Sequence, residues 1–219
     1  MGQHTSERLA SGLAGLGLSA AAADIDRLNA YLDMLIRWNR ASRLTARATR
    51  DELVVRHVLD SAAVRPFLPP GPKLDAGSGA GLPGLVLALL SPESRWVLLD
   101  SAARKAAFLR HACSELDLPN VRIVRERLER YRPEEPPRAI VARALAPLPK
   151  LVALAARLLR RGSTLVAMLG RRPSNRQLLA LPGVDCRSCD PISVPGLDAQ
   201  RHVAVFTCAS EAAGPGADS

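Results

Sequence analysis

From Pro72 onward this 219-residue chain alternates short apolar runs with longer helical stretches, and that alternation restricts the fold more than any other feature. The apolar runs predict strands at 73–75, 96–99, 121–124, 139–142 and 163–168. The stretches between them predict helices at 83–90, 104–116 and 148–160. Strands joined by helices of this length form βαβ units, and such units build a parallel sheet. The closing segment, PISVPGLDAQRHVAVFTC, holds Pro191 and Pro195 and then an apolar run from His202 to Cys208. It predicts a last strand turned back into an otherwise parallel sheet.

The first 68 residues lack this pattern. Leu28, Leu32, Leu35, Ile36 and Trp38 follow helical spacing, with Asp24 or Asp26 available for the first turn. DELVVRHVLDSAAV (51–64) predicts a second helix, ended by PFLPPGP. The expected organisation is a helical cap over 1–68, an α/β domain over 72–208 and a disordered tail over 209–219. A composition that is 47% hydrophobic suffices for a packed core.

The formal charge is +9, and only Lys73, Lys105 and Lys150 are lysines. The remaining basic side chains are arginines, whose planar fork suits phosphates and guanine edges, although an Ala- and Arg-rich chain equally reflects a GC-rich genome. Charge therefore permits a nucleic-acid partner without requiring one. The longest apolar run, Leu85 to Leu90, is far too short for a membrane span, and the N-terminus lacks an export pattern. Met1, Gly2 and Ser6 match a myristoylation pattern, read as chance because no second membrane signal accompanies it. Cys113, Cys186, Cys189 and Cys208 do not form a disulfide framework, and the single C-x-x-C at 186–189 has no second pair for zinc. Reduced structural thiols in a cytoplasmic, monomeric protein without a membrane or metal partner are the expectation.

LDAGSGAGLPG, residues 74–84, links the first strand to its helix, where ligands bind in an open parallel sheet. Gly79 to Gly84 satisfies the G-x-G-x-x-G dinucleotide pattern, and Asp100 comes at about the 20-residue distance of an NAD ribose-binding acid. That match starts too late after the strand, however, and Asp75 sits at the strand end. A carboxylate there repels a pyrophosphate but can pair, directly or through water, with the ammonium of S-adenosylmethionine. Asp100 ends the next strand, WVLLD, and can accept both ribose hydroxyls in either cofactor class. The sulfonium cofactor is favoured, with an NAD-binding oxidoreductase as the alternative from another class.

Read in order, RWNRASRLTA, VRHVLDS, LDAGSGAGLPG, LLDSAARKAAFLRH, VRERLER, VARALAPL and LDAQRHVAVF resemble the 16S rRNA (guanine-N7) methyltransferase family, the glucose-inhibited division protein B group. The resemblance covers nearly all of residues 25–207. It implies a class I methyltransferase fold with a mostly parallel seven-stranded sheet. The implied cofactor is S-adenosylmethionine, and the implied substrate is a guanosine in the decoding-region loop of bacterial 16S rRNA, as free rRNA or in the 30S subunit. A methyltransferase acting on another substrate remains the nearer alternative.

Carried onto this chain, the family's cofactor contacts fall on Gly77 and Leu82, with Gly79 beside them, on Leu128 and Glu129 around the adenine, and on Arg143 closing the site. The alternatives are that RERLERYRPEE, with Glu129, is the charged face of a solvated helix and that Arg143 makes a surface ion pair. Arg56, His57 and Asp60, with Ser61, match the VRH-x-LDS stretch, and α-helical spacing puts the first three near one another. They are candidates for the active-site mouth or for RNA, and His57 and Arg143 are the catalytic candidates. A local capping or salt-bridge role is the alternative, and Arg201 and His202 share this ambiguity. Leu169 stands where the family commonly has lysine, so the adjacent Arg171 and Arg172 are candidate substitutes for an RNA contact.

Overall fold

The computed structural model describes residues 2–209. Seven strands form one sheet in the order β3-β2-β1-β4-β5-β7-β6. They are β1 (Lys73–Ala76), β2 (Trp96–Leu99), β3 (Val121–Val124), β4 (Ala139–Arg143), β5 (Thr164–Leu169), β6 (Val184–Pro191) and β7 (His202–Cys208). The first five run parallel, while β7 runs antiparallel to both β5 and β6. The strand order reverses between β1 and β4, which makes their carboxyl ends the topological switch point.

The five expected strands fall within a residue or so of their observed bounds. β6 escaped the sequence pattern because its VDCRSCDP alternates charged and small residues, as suits an edge strand. The C-x-x-C pair lies on this strand, with a bulge between Cys186 and Ser188, and all four cysteines are free.

Adjacent residues of each central strand serve opposite faces. Leu98, Val141, Val166 and Val203 join one hydrophobic core; their neighbours Leu99, Ile140, Leu165 and Ala204 join the other. The first face is covered by α5 (Gly84–Leu89), by α6 (Ala103–Glu115) and by the N-terminal helices. These are α1 (Gly2–Gly15), α2 (Ala22–Ser42) and a continuous helical run made of α3 (Arg50–Leu53), a π-helical stretch (Val54–Leu59) and α4 (Asp60–Ala62). The second face carries α7 (Leu148–Ala156) and the short α8 (Asn175–Leu179).

Local chemistry explains the cap. In α2, Ile25, Leu28, Leu32 and Leu35 form a buried stripe at three- and four-residue spacing, and the Asp24 carboxylate accepts the Ala21 N–H at 3.1 Å. A reciprocal box opens α3: Thr49 Oγ1 accepts the Glu52 N–H at 3.2 Å, and Glu52 Oε2 accepts the Thr49 N–H at 2.8 Å. Among the described residues no helix is long and apolar enough to cross a membrane. Met1, and the expected tail beyond Ala209, lie outside the described residues.

Candidate cofactor cleft and substrate mouth

The carboxyl ends of β1, β2 and β4 open into a cleft of about 380 Å³, within the usual range for a small-molecule site. Gly77, Asp100, Leu128 and Glu129 line it together. Asp75, Gly79, Leu82 and Arg143 do not: Asp75 is fully buried, Leu82 is 4% exposed within the first core, the Gly79 N–H bonds Asp100, and the Arg143 side chain turns to Asp60.

Asp75 instead holds the glycine loop from beneath. Its Oδ2 accepts the Gly84 N–H at 2.9 Å, and its backbone carbonyl accepts the Ser78 hydroxyl at 3.0 Å. Oδ1 has no hydrogen-bond partner. Burial pushes the carboxyl up to about 7, against the opposing pull of the Gly84 N–H and Ser78. Gly84 opens α5, so this carboxyl occupies the helix start where a dinucleotide would set its pyrophosphate. A Cβ on Gly84 would lie 2.4 Å from Leu98 Cδ2 and 2.5 Å from Asp75 Oδ2, which leaves no room there for a ligand either. The dinucleotide reading gives way on both counts.

Asp100 is placed differently. It is 8% exposed, its Oδ2 accepts the Gly79 N–H at 2.9 Å, and its Oδ1 accepts the Ala102 N–H at 2.9 Å. A carboxylate offers about four acceptor positions, so two amides leave capacity for two ligand hydroxyls. Lys105 Nζ stands 3.5 Å from Oδ2. Gly77, at φ +77°, brings the loop against Leu145, whose Cδ1 would lie 2.5 Å from any Cβ on that residue.

Leu128 and Glu129 lie in a turn after β3, not on a solvated helix face. Leu128 is buried and Glu129 exposed. Arg157, just beyond α7, donates to the Leu128 carbonyl, and also to the Tyr131 carbonyl at 3.0 Å. On the other side, the buried Tyr31 of α2 donates its hydroxyl to the Ala80 carbonyl at 2.8 Å, so the cap braces the glycine loop. Sequence reasoning missed Tyr31, Lys105 and Arg157, since each acts on residues distant in the chain. It also missed Ala144, which lines the cleft at φ +52° without the glycine or asparagine that would advertise a left-handed backbone.

Beside the cleft, Asp60 forms the centre of a mouth. Its carboxylate is 4% exposed and accepts from Arg143 Nη1 at 3.2 Å and from Arg201 Nε at 2.8 Å. Arg143 ends β4, Arg201 precedes β7, and Asp60 belongs to the cap, so three distant segments meet at one acid. The helix there is not α-helical, contrary to the spacing argument. The Asp60 N–H bonds the carbonyls of Val55 and His57 and passes over that of Arg56. The Arg56 carbonyl instead accepts Arg143 Nη1 at 3.2 Å and lies 2.9 Å from His57 Nδ1. π-Turns within helices recur at functional sites for this reason: they release a backbone group. Burial, and after it the positive Arg143, pushes the His57 imidazole below its ordinary pKa.

Arg171, Arg172, Arg201 and His202 line a second cavity, of about 720 Å³, with no acidic side chain in its wall. Arg171 and Arg172 are exposed; His202 is 9% exposed and its buried Nδ1 has no partner. Leu169 ends β5 opposite His202, outside this wall.

Residues 24–204 match the family described as rRNA small subunit methyltransferase G. The chain belongs to this family. Curated methyltransferase G relatives agree: that of Azoarcus sp. (strain BH72) is 40% identical over 201 residues, covering 91% of this chain and 94% of its own. That of Nitrosococcus oceani is 43% identical over 197 residues, covering 89% and 91%. Among solved structures, the magnesium protoporphyrin IX methyltransferase of Synechocystis PCC 6803 with bound S-adenosylmethionine superposes with a TM-score of 0.58 at 12% identity, covering 82% of this chain and 97% of that one. A glycopeptide N-methyltransferase with S-adenosylhomocysteine gives 0.58 at 11%, covering 70% and 87%. The fold is that of class I methyltransferases, and the methyltransferase G family is S-adenosylmethionine-dependent.

The residues present fit that cofactor. A methyltransferase G cleft needs a hydroxyl acceptor, an apolar wall for a flat base and no phosphate site. Asp100 retains acceptor capacity, Leu99, Leu128 and Leu145 supply apolar wall, and the start of α5 is closed by Asp75.

Proposed function

We propose that this protein methylates N7 of a guanosine in the decoding-region loop of bacterial 16S rRNA. The observation that carries the reading is the junction at Arg143: its side chain belongs to the mouth, while the next residues, Ala144 and Leu145, line the cleft. Cofactor and target base would therefore meet across the end of β4. The names of the relatives, all small-subunit rRNA methyltransferases, support the substrate.

Bound in the cleft, S-adenosylmethionine supplies an electrophilic methyl group on a sulfonium. Asp100 would hold the ribose hydroxyls, Gly77 would admit the cofactor close to the backbone, and Leu128 with Glu129 would border the adenine. Asp75, Gly79 and Leu82 would act from beneath, by shaping the loop. Guanine N7 carries a lone pair and no proton, so the mouth needs no general base. Its work is positioning, which can supply effective molarities of about 10⁵ M or more. Asp60 and the Arg56 carbonyl would hold Arg143 in one orientation at the cofactor-proximal side, and Asp60 would aim Arg201 at the RNA. His57, kept neutral by its surroundings, would pack against the base or its sugar. Arg171 and Arg172 would take flanking phosphates in place of a lysine at 169. The target base would leave its stack to reach the mouth. The protein is taken to work in the cytoplasm, as a monomer.

The test is mass mapping of 16S rRNA, free and in 30S subunits, after incubation with protein and labelled cofactor. A single N7-methylguanosine in the decoding region is expected. If the protein binds S-adenosylmethionine but leaves both RNA forms unmodified, the substrate is another molecule.

A further inference from the structure

The stretch RWNRASRLTARATR, residues 37–50, holds five arginines and no acid, a large share of the net charge of +9. Arg50 is accounted for: it pairs with Asp33 and bonds Asn29 and Thr5. The other four are exposed, and no ion pair or side-chain hydrogen bond among the described residues includes Arg37, Arg40, Arg43 or Arg47. Arg40, Arg43 and Arg47 line a cavity of about 600 Å³ between the end of α2 and the start of α3, whose wall contains no acidic side chain.

The loop that presents them is built, not slack. Asn39 Oδ1 accepts the Thr45 N–H at 3.0 Å, and Asn39 Nδ2 donates to Thr45 Oγ1 at 3.3 Å. Arg43 closes α2 in the left-handed region at φ +42°, its N–H returned to the Asn39 carbonyl. A side chain rarely adopts that backbone, and the glycine usual at a helix end is absent. A cation near the helix C-terminus is favourable, which accounts for Arg40 alone. Three unpaired guanidinium groups around one cavity call for an external anion.

Position identifies the anion. Leu53 also lines the cavity, and Arg56 lies about one helical turn further along the same continuous run. From Arg56 the contacts pass through Arg143 and Asp60 to Arg201, and from Arg201 to the cavity shared with Arg171 and Arg172. Basic groups thus lie on the cap side of the mouth as well as beyond it.

We propose that the cap cavity of Arg40, Arg43 and Arg47 is a second docking site for the rRNA substrate, gripping backbone phosphates of the strand that runs away from the target guanosine. This rests on rRNA being the substrate. The site contributes affinity and register and no base readout, because guanidinium groups on phosphates position without specifying sequence.

The test combines Arg40→Gln, Arg43→Gln and Arg47→Gln in one variant of the full chain, alongside the matching triple lysine variant. Fluorescence anisotropy with a decoding-region RNA fragment is measured across salt concentrations, with S-adenosylmethionine affinity by calorimetry as the folding control. Each phosphate contact to a single strand contributes about −0.7 to the slope of log K against log salt. Loss of three should flatten the slope by about 2, raise KM for the RNA at least about tenfold and leave cofactor affinity unchanged. The lysine variant should keep the slope, since phosphates accept point charges too. An unchanged slope and KM in the glutamine variant overturn the proposal. So does lost binding to the 30S subunit with unaltered binding to free rRNA, which would assign the cavity to an acidic protein surface. If the wild-type protein methylates no rRNA base, the functional reading fails, but the cavity's RNA binding is still decided by the slope.

Discussion

Around the glycine loop, the carboxylates at the ends of β1 and β2 bond backbone amides, whereas in the mouth the carboxylate of Asp60 bonds two guanidinium groups. The first arrangement is local: Asp75 and Asp100 reach Gly84, Gly79 and Ala102 across a single strand–loop–helix neighbourhood. The second joins residues 60, 143 and 201, each on a different part of the chain. A site tied by amides is sensitive to backbone conformation, and a site tied by side chains is sensitive to the loss of one partner. The two regions should therefore fail in different ways.

The largest effect is expected from Asp60→Ala. Removing one member of a buried ion pair costs about 3–5 kcal/mol, less here because both arginines are roughly a fifth exposed. Denaturant unfolding should give a loss of about 2 kcal/mol. Turnover should fall at least about 100-fold, equivalent to about 2.7 kcal/mol, while calorimetry shows nearly normal cofactor affinity. Equal losses of both would mean that mouth and cleft are one unit. Gly77→Ala should do the reverse. The left-handed backbone costs an alanine about 1–2 kcal/mol and its methyl meets Leu145, so cofactor affinity should drop about tenfold or more, with little change in RNA affinity. Asp100→Ala should weaken S-adenosylmethionine binding by about 1–3 kcal/mol, as lost charged hydrogen bonds do. Unchanged affinity would remove Asp100 from the site.

The effect confined to stability, with none expected on turnover at fixed pH, concerns Asp75. Its folded pKa, about 7, lies above the unfolded value, so the folded state holds the proton longer. Stability from this group is present below about pH 4 and is lost as pH rises towards 7, with a slope of at most about 1.4 kcal/mol per pH unit. Asp75→Asn should flatten that slope in urea unfolding at pH 5 and pH 7, with the Gly84 N–H still accepted by the side-chain carbonyl. A wild-type stability that rises over this interval relative to Asp75→Asn would mean that the carboxylate is ionised and paired.

The same contrast explains what is legible in the sequence. Parallel strands buried on both faces leave unmistakable apolar runs, and a glycine loop after such a strand locates the cleft. Asp100 is readable because strand ends near the switch point meet ligands. Asp75 is readable too, but its direction is not: whether a strand-end acid points at the ligand or under the loop depends on Gly84, nine residues on. In the mouth, the VRH-x-LDS stretch draws attention to Asp60, but nothing nearby in the chain identifies Arg143 and Arg201 as its partners. Tyr31 and Arg157 are invisible for the same reason, since a hydroxyl or guanidinium on a distant carbonyl leaves no local pattern. β6 escapes notice because edge strands are polar.

The π-helical stretch at 54–59 also works as a phase shifter. One extra residue in a helix turns everything before it by about 100° relative to everything after it. Leu53 and Asp60 can thus both stay in register with their neighbours while Arg56 frees its carbonyl between them. Deleting one residue from 54–59 would relax the run into an ordinary α-helix of good stability. The core could then still close, but the mouth would be dialled out of alignment, separating the ability to fold from the ability to act.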